Sequence, residues 1–170
     1  MGQPGKPKVV IRPALADDAP AIAEIYNEAI ETTVATFDTQ PVNAEERRLW
    51  LAEHGGKYPV MVAELDDSIV GWASLSKWSG RCAYADTAEI SLYVLAKLHG
   101  RGIGRVLMAT IIEEGRQAGL HTVIARIVEG NEVSVHLHEV FGFHSVGVLR
   151  EVGRKFGKLL DIHIMQKIFQ

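Results

Sequence analysis

The sequence predicts an α+β fold, a mixed α/β arrangement around one sheet, from three observations. Two helical patterns come early; a run of apolar, β-branched segments broken by short turns follows; strand, helix, strand, helix and strand then alternate to the end. The chain has 170 residues, 47% of them apolar and 23% charged. That is enough for one sizeable core and too little for two ordinary domains. We therefore expect one domain over residues 8–170, preceded by an arm over residues 1–7 whose Gly, Gln and Pro bury nothing.

Val9-Val10-Ile11 reads as the first strand. Asp17 or Asp18 then caps a helix with Pro20 in its first turn and Ile22, Ile25, Tyr26 and Ala29 at helical spacing. Asn43 with Glu46 forms a capping-box pattern for a second helix, which Gly55-Gly56 should stop. The irregular stretch from Thr32 to Pro41, containing Phe37, is the kind of loop that carries specificity. Tyr58 to Glu64 and Ile69 to Ser76 read as a hairpin around Asp66-Asp67-Ser68. A polar loop with Trp78, Arg81 and Tyr84 leads to a strand from Thr87 to Leu95. Ile103, Val106, Leu107, Thr110 and Ile111 mark one face of a helix ending near Gly119. A strand from His121 to Val128 precedes a helix capped by Asn131, with Val133, Leu137, Val140 and Phe141 expected on its buried side. Two strands near His144 to Glu151 and Leu159 to Ile168 complete the chain.

A net charge of -3 and a pI near 6.2 provide no basic field for nucleic acid or an anionic membrane. No apolar run approaches the roughly 20 residues of a spanning helix, and Met1 to Lys8 lacks the apolar centre of a signal peptide. We expect a soluble cytoplasmic protein with a small-molecule partner. Cys82, the lone cysteine, is expected to be an inert packing residue.

The segment His99-Gly100-Arg101-Gly102-Ile103-Gly104 places three glycines where a strand gives way to a helix. Exposed N–H groups at the positive end of a helix suit a pyrophosphate, and Lys97, Arg101 and Arg105 add positive charge. The alternative is a tight turn with solvated basic residues. A P-loop is excluded because no Gly-Lys-Ser/Thr run follows, and a dinucleotide fingerprint because Arg105 stands where glycine or alanine is required.

The pattern resembles the signature of the GNAT acetyltransferase superfamily, Gln/Arg-x-x-Gly-x-Gly/Ala, with His99 at the first position. A second block, Asn131 to Phe143, resembles that family's asparagine-capped helix ending in Gly-Phe. The likeness is closer to the phosphinothricin and methionine sulfoximine acetyltransferase group. It is carried by Tyr26-Asn27, Phe37, Trp78, Thr87-Ala88-Glu89, Leu92-Tyr93-Val94, Leu137-His138-Glu139, Phe156-Gly157-Lys158 and Asp161. Only the loop from Trp78 to Tyr84 departs from that group, which bears on the acceptor.

The resemblance implies a GNAT-like domain, with a mostly antiparallel twisted sheet flanked by about four helices, that uses acetyl-CoA and forms a homodimer; His136 and His138 diverge on a helix and no other cluster has metal-ligand spacing, so no metal is expected. Gly100, Arg101, Gly102, Ile103, Gly104 and Arg105 would hold the pyrophosphate. Leu92, Tyr93, Val94, Asn131 and Ser134 would contact the rest of the cofactor, with Leu92 and Val94 offering N–H groups to the oxyanion. Amide formation requires a neutral amine, so a base must remove a proton, and Glu89 lies in an apolar strand just before the turn. Taken by itself, Glu89 reads equally well as a partly buried base or as a strand glutamate that faces solvent or pairs with Arg81; the resemblance favours the base. His138 stands where many members carry the tyrosine that protonates the departing thiolate, so it is that acid, with the Ser134 side chain one turn away to orient it, or a substrate or cofactor contact, or a partly exposed helix histidine. For an amino-acid-like acceptor, Lys77 and Arg81 are candidate anion contacts and Phe37 and Trp78 candidate walls. The competing acceptors are a protein N-terminus or lysine. A noncatalytic acyl-CoA-binding module is the reading from another class.

Overall fold

Alternation along the strands decides how the chain is layered. In a computed structural model describing residues 8–170, successive strand residues point to two opposite cores. The expected arm over residues 1–7 lies outside the described residues. The elements are β1 (Val10–Pro13), α1 (Ala19–Thr32), α2 (Ala44–Ala52), β2 (Val60–Leu65), β3 (Ser68–Lys77), β4 (Thr87–Val94), α3 (Ile103–Gln117), β5 (Thr122–Val128), α4 (Glu132–Val140), β6 (His144–Lys155) and β7 (Lys158–Ile168). The seven strands form one sheet in the order β1-β2-β3-β4-β5-β7-β6. Every neighbouring pair is antiparallel except β4–β5, which α3 connects as a crossover helix.

Met61, Ala63, Ala73, Leu75, Ala88 and Ile90 face α3, whose Ile103, Leu107, Met108 and Ile111 complete the larger core. Val62 and Trp72 point the other way, onto Ile22, Ile25, Tyr26 and Ile30 of α1. β3 is covered on both faces, which is why Val70 to Leu75 reads as a continuous buried run rather than an alternation. Each fully buried aliphatic side chain contributes about 1.5–3 kcal/mol, so α3 is held chiefly by its Leu107 and Ile111 stripe.

The expected hairpin forms β2 and β3, with Asp66 and Asp67 both at positive φ, as a two-residue turn demands. The capping box of α2 is complete: Asn43 accepts from the Glu46 amide at 2.9 Å, and Glu46 accepts from the Asn43 amide at 2.7 Å. Three local expectations are corrected. Asp18 makes no capping bond to α1; its carboxylate takes the Leu15 amide and the Arg12 guanidinium instead. α2 ends at Ala52, before Gly55-Gly56, whose positive φ values serve a turn back to Tyr58. Cys82 is exposed on a short 3-10 turn, not packed.

The helix faces also differ in detail. Val106 of α3 is exposed, and Met108 and Ile112 take the buried stripe with Leu107 and Ile111. On α4, Val133 and Val140 are exposed, and the inward side is Ser134, Val135, Leu137, His138 and Phe141. No described helix is long and apolar enough to cross a membrane.

Candidate active site

The two parallel strands stay together only briefly. Pairing between β4 and β5 runs from Thr87↔Thr122 to Glu89↔Ile124, while β4 continues to Val94 along β3. From Ile90 onward the β5-facing edge of β4 is open. The Leu95 amide donates to Val70 of β3 at 3.0 Å. Alternation therefore directs the Leu92 and Val94 N–H groups toward the opening.

The glycine-rich turn closes one end of this opening. Gly100 and Gly102 adopt left-handed backbone with φ of 76° and 81°, so the chain reverses into α3 without a Cβ in the way. Gly102 is the N-cap and has no side chain to offer, leaving the first N–H groups of α3 without a side-chain acceptor. A Cβ at Gly104 would sit 3.6 Å from Leu92 and 3.9 Å from Leu137, so the first turn of α3 meets β4 and α4 there. Arg101 and Arg105 are exposed at this end, with the Arg105 guanidinium 5.7 Å from the Phe141 ring centroid. These backbone donors and cations fit a pyrophosphate. His99 donates from Nε2 to the Val94 carbonyl at 2.7 Å, tying the turn to the end of β4.

On α4, Asn131 accepts from the Ser134 amide at 3.2 Å, a capping bond as expected. The Ser134 carbonyl, not its hydroxyl, holds His138, accepting from Nδ1 at 2.7 Å. Since a carbonyl can only accept, the neutral ring carries its proton on Nδ1 and leaves Nε2 bare. His138 is buried edge-on to Phe143, and burial pushes its pKa below 6.5.

Glu89 pairs with neither solvent alone nor Arg81. Arg126 on β5 grips it with two bonds, Nε to Oε1 at 2.6 Å and Nη2 to Oε2 at 2.8 Å. The same guanidinium lies 5.9 Å from the Trp78 ring centroid, so Trp78 joins the cluster through Arg126. Arg81 is exposed on the adjoining loop, whereas Lys77, expected beside it, ends β3 opposite Ala88, and alternation turns it to the face away from Glu89. Ser76 faces Glu89 across β3–β4 and also bonds Nε2 of His54 at 2.9 Å. Nδ1 of His54 donates to the Trp50 carbonyl, so Nε2 accepts from Ser76 and the neutral ring has no proton to pass toward Glu89.

Glu89, Ser91 and Tyr93 share a face of β4, and the Tyr93 ring meets that of Tyr26 on α1 edge-on at 5.1 Å between centroids. Burial pushes the Tyr93 phenol up to about 12, so it remains a hydrogen-bond donor at neutral pH. Tyr26 bonds both Thr36 Oγ1 at 2.9 Å and Asp38 Oδ2 at 2.5 Å. Buried Lys155 reaches from the end of β6 to the Thr36 carbonyl at 2.8 Å. These ties fix Phe37, whose ring rests on Gly153 of β6.

Sequence reasoning missed Arg126, His54, Lys155 and Gly153. Arg126 had a signal, a charge inside the otherwise apolar strand Thr122–Val128. The others become legible only through long-range pairing. Among the described residues no group of three or more His, Cys, Asp or Glu has the arrangement of a metal site.

A strand pair that splays beside an uncapped helix N-terminus, with a carboxylate at the point of parting, offers free backbone donors and a proton acceptor, and the family comparison gives the class of reaction. Residues 22–143 match the Acetyltransferase (GNAT) family, to which this chain belongs. It is 40% identical over 163 residues to the phosphinothricin N-acetyltransferase of Streptomyces coelicolor, covering 94% of this chain and 95% of that one. A solved ribosomal-protein-alanine N-acetyltransferase from Brucella melitensis is 41% identical with a TM-score of 0.91, over 94% of this chain and 99% of that one. A phosphinothricin acetyltransferase from Sinorhizobium meliloti, solved in complex with acetyl-CoA, is 31% identical with a TM-score of 0.90, over 94% and 88% of the two chains. The chain is an N-acetyltransferase with acetyl-CoA as cosubstrate.

Proposed function

We propose that the enzyme acetylates the primary amine of a small amino-acid-like acceptor, of the phosphinothricin, methionine sulfoximine or methionine sulfone type, by direct attack in a ternary complex. The observation that carries this reading is the position of Glu89, the last β4 residue paired with β5 and so at the mouth of the open edge. Likeness to the phosphinothricin N-acetyltransferase over 94% of the chain supports the acceptor class.

Acetyl-CoA, when bound, supplies the activated acyl carbonyl. Gly100 to Arg105 receive its pyrophosphate, and Asn131 and Ser134 shape the facing end of α4. The acceptor enters as an ammonium ion. Glu89 takes a proton from it, directly or through water: the N–H bond breaks, an O–H bond forms, and the freed lone pair attacks the carbonyl; the C–S bond then breaks, and the departing sulfur takes the second amine proton through water and leaves as the free thiol. The Leu92 and Val94 N–H groups are the donors for the developing oxyanion, and Tyr93 lines the arm between them. Phe37 and Trp78 wall the acceptor, with Arg81 at its outer rim. His138 acts as a contact at the thioester end; its bare Nε2 and lowered pKa leave little imidazolium to serve as an acid at neutral pH.

We also place the enzyme in the cytoplasm as a homodimer. Val146, Leu149, Val152, Phe156 and Leu159 are exposed along β6 and its hairpin tip, an apolar strip suited to a second copy.

The likeness to a ribosomal-protein-alanine N-acetyltransferase favours a second reading, with a protein N-terminus as acceptor. Thiol release from acetyl-CoA separates the two. Amino-acid analogues should turn over, and peptides beginning with alanine should not. Turnover of the peptides alone would reverse the assignment.

A further inference from the structure

The pair between Glu89 and Arg126 poses a chemical difficulty for the base assigned above. Both carboxylate oxygens are bound to one guanidinium, at 2.6 and 2.8 Å. A carboxylate in this state is poorly placed to accept a third group's proton. A simple amine approaching it as an ammonium ion would meet the positive charge of Arg126 at the same point. Displacing Arg126 would leave a guanidinium unpaired.

The surroundings leave the Arg126 guanidinium accessible from solvent. Arg126 lies beyond Ile124, the last β5 residue paired with β4, so no β4 backbone runs beside it. Its side chain is 54% exposed, while that of Glu89 is 21% exposed. The guanidinium is the exposed half of the pair, so an incoming anion reaches it from solvent without first entering the core. Val123, Ala125 and Ile127 hold β5 to the opposite core, so the strand stays fixed while the Arg126 side chain moves. The Trp78 ring gives the guanidinium a second surface to rest on.

An acceptor that brings its own anion resolves the difficulty. An α-amino acid carries an ammonium and a carboxylate on one carbon, and inserted at this point it exchanges one ion pair for two. Its ammonium meets Glu89; its carboxylate takes the fork of Arg126, whose planar donors match a carboxylate bidentately. Glu89 is thereby released from Arg126 at the moment the amine arrives.

We propose that Arg126 is the receptor for the acceptor's carboxylate, and that its pairing with Glu89 is the resting form of a clamp selective for zwitterions. This rests on the acetyltransferase reading with Glu89 as base. It predicts that the wild-type enzyme strongly prefers a free amino acid to its carboxamide or methyl ester, and that Arg81 is secondary to Arg126.

The test compares methionine sulfone with its carboxamide in the wild type, Arg126→Gln and Arg126→Lys, following thiol release. A charge-assisted bidentate contact corresponds to about 10- to 100-fold. The wild type should therefore favour the free acid by at least about 30-fold in kcat/KM. In Arg126→Gln that ratio should fall to about threefold or less, with the KM for acetyl-CoA unchanged; Arg126→Lys should restore part of it. The des-amino carboxylic acid should inhibit the wild type competitively against the acceptor and not inhibit Arg126→Gln, a readout independent of turnover. A ratio in Arg126→Gln equal to that of the wild type, with the protein folded by circular dichroism, overturns the role of Arg126 and leaves acetyl transfer standing. Wild-type turnover of no amine in a broad panel overturns the reading beneath it, and this proposal with it.

Discussion

Phe37 lies so close against Gly153 that a Cβ on that glycine would come within 2.1 Å of the ring. The contact joins the loop after α1 to β6, far apart in sequence, and sets where the ring of Phe37, our proposed acceptor wall, stands. Gly153 is needed for this close approach rather than for a turn.

Gly153→Ala should push the ring out of place. The loop cannot follow freely, because Tyr26 and Lys155 hold Thr36. Overpacking of this kind costs about 1–3 kcal/mol. The acceptor KM should rise roughly 10-fold with the KM for acetyl-CoA within about twofold, and Phe37→Leu should recover part of the loss in the alanine background. Steady-state kinetics with each substrate varied in turn decides this. An unchanged acceptor KM would remove Phe37 from the site.

Gly102→Ala addresses the cofactor turn. A Cβ there meets nothing within 4 Å, so the whole effect is backbone strain at φ 81°. That strain is about 1–2 kcal/mol for a non-glycine residue. The KM for acetyl-CoA should rise about 10-fold with the acceptor KM unchanged. The reverse pattern would detach the turn from the cofactor.

Acid should weaken the fold through its buried histidines. Burial lowers the pKa of His54 and His138 from 6.5 in the folded protein. Below about pH 6.5 the unfolded chain therefore binds more protons than the folded one, and stability falls as the pH drops toward the folded values. Thermal unfolding should show a lower Tm at pH 5.5 than at pH 7.5. His138→Phe should narrow that difference, because it removes one of the two buried groups; an unaltered difference would assign the acid sensitivity elsewhere.

Much of this architecture was legible in the sequence because its signals are local. The Asp66-Asp67 hairpin, the Asn43–Glu46 capping box and the Asn131 cap each depend on residues a few positions apart. The buried face of α4 was misread because its inward stripe contains polar residues. His138 satisfies Nδ1 on its own helix and so can be buried, while Val133 and Val140 look inward only by composition. The cofactor turn could be read from three glycines, but not the partner of Glu89. That partner follows from parallel register between β4 and β5, which places Arg126 two residues past the position opposite Glu89. Periodicity fixes faces within a strand and carries no information about register between strands.

The central claim is that Glu89 removes the acceptor's proton at the parting of β4 and β5. It is tested most directly by Glu89→Gln, measuring kcat with methionine sulfone and acetyl-CoA affinity by calorimetry on the same preparation. Loss of a general base corresponds to about 10²–10⁴-fold. The prediction is a fall in kcat of at least about 100-fold with acetyl-CoA affinity within about twofold of the wild type. Turnover within about twofold of the wild type, with cofactor binding intact, would contradict it.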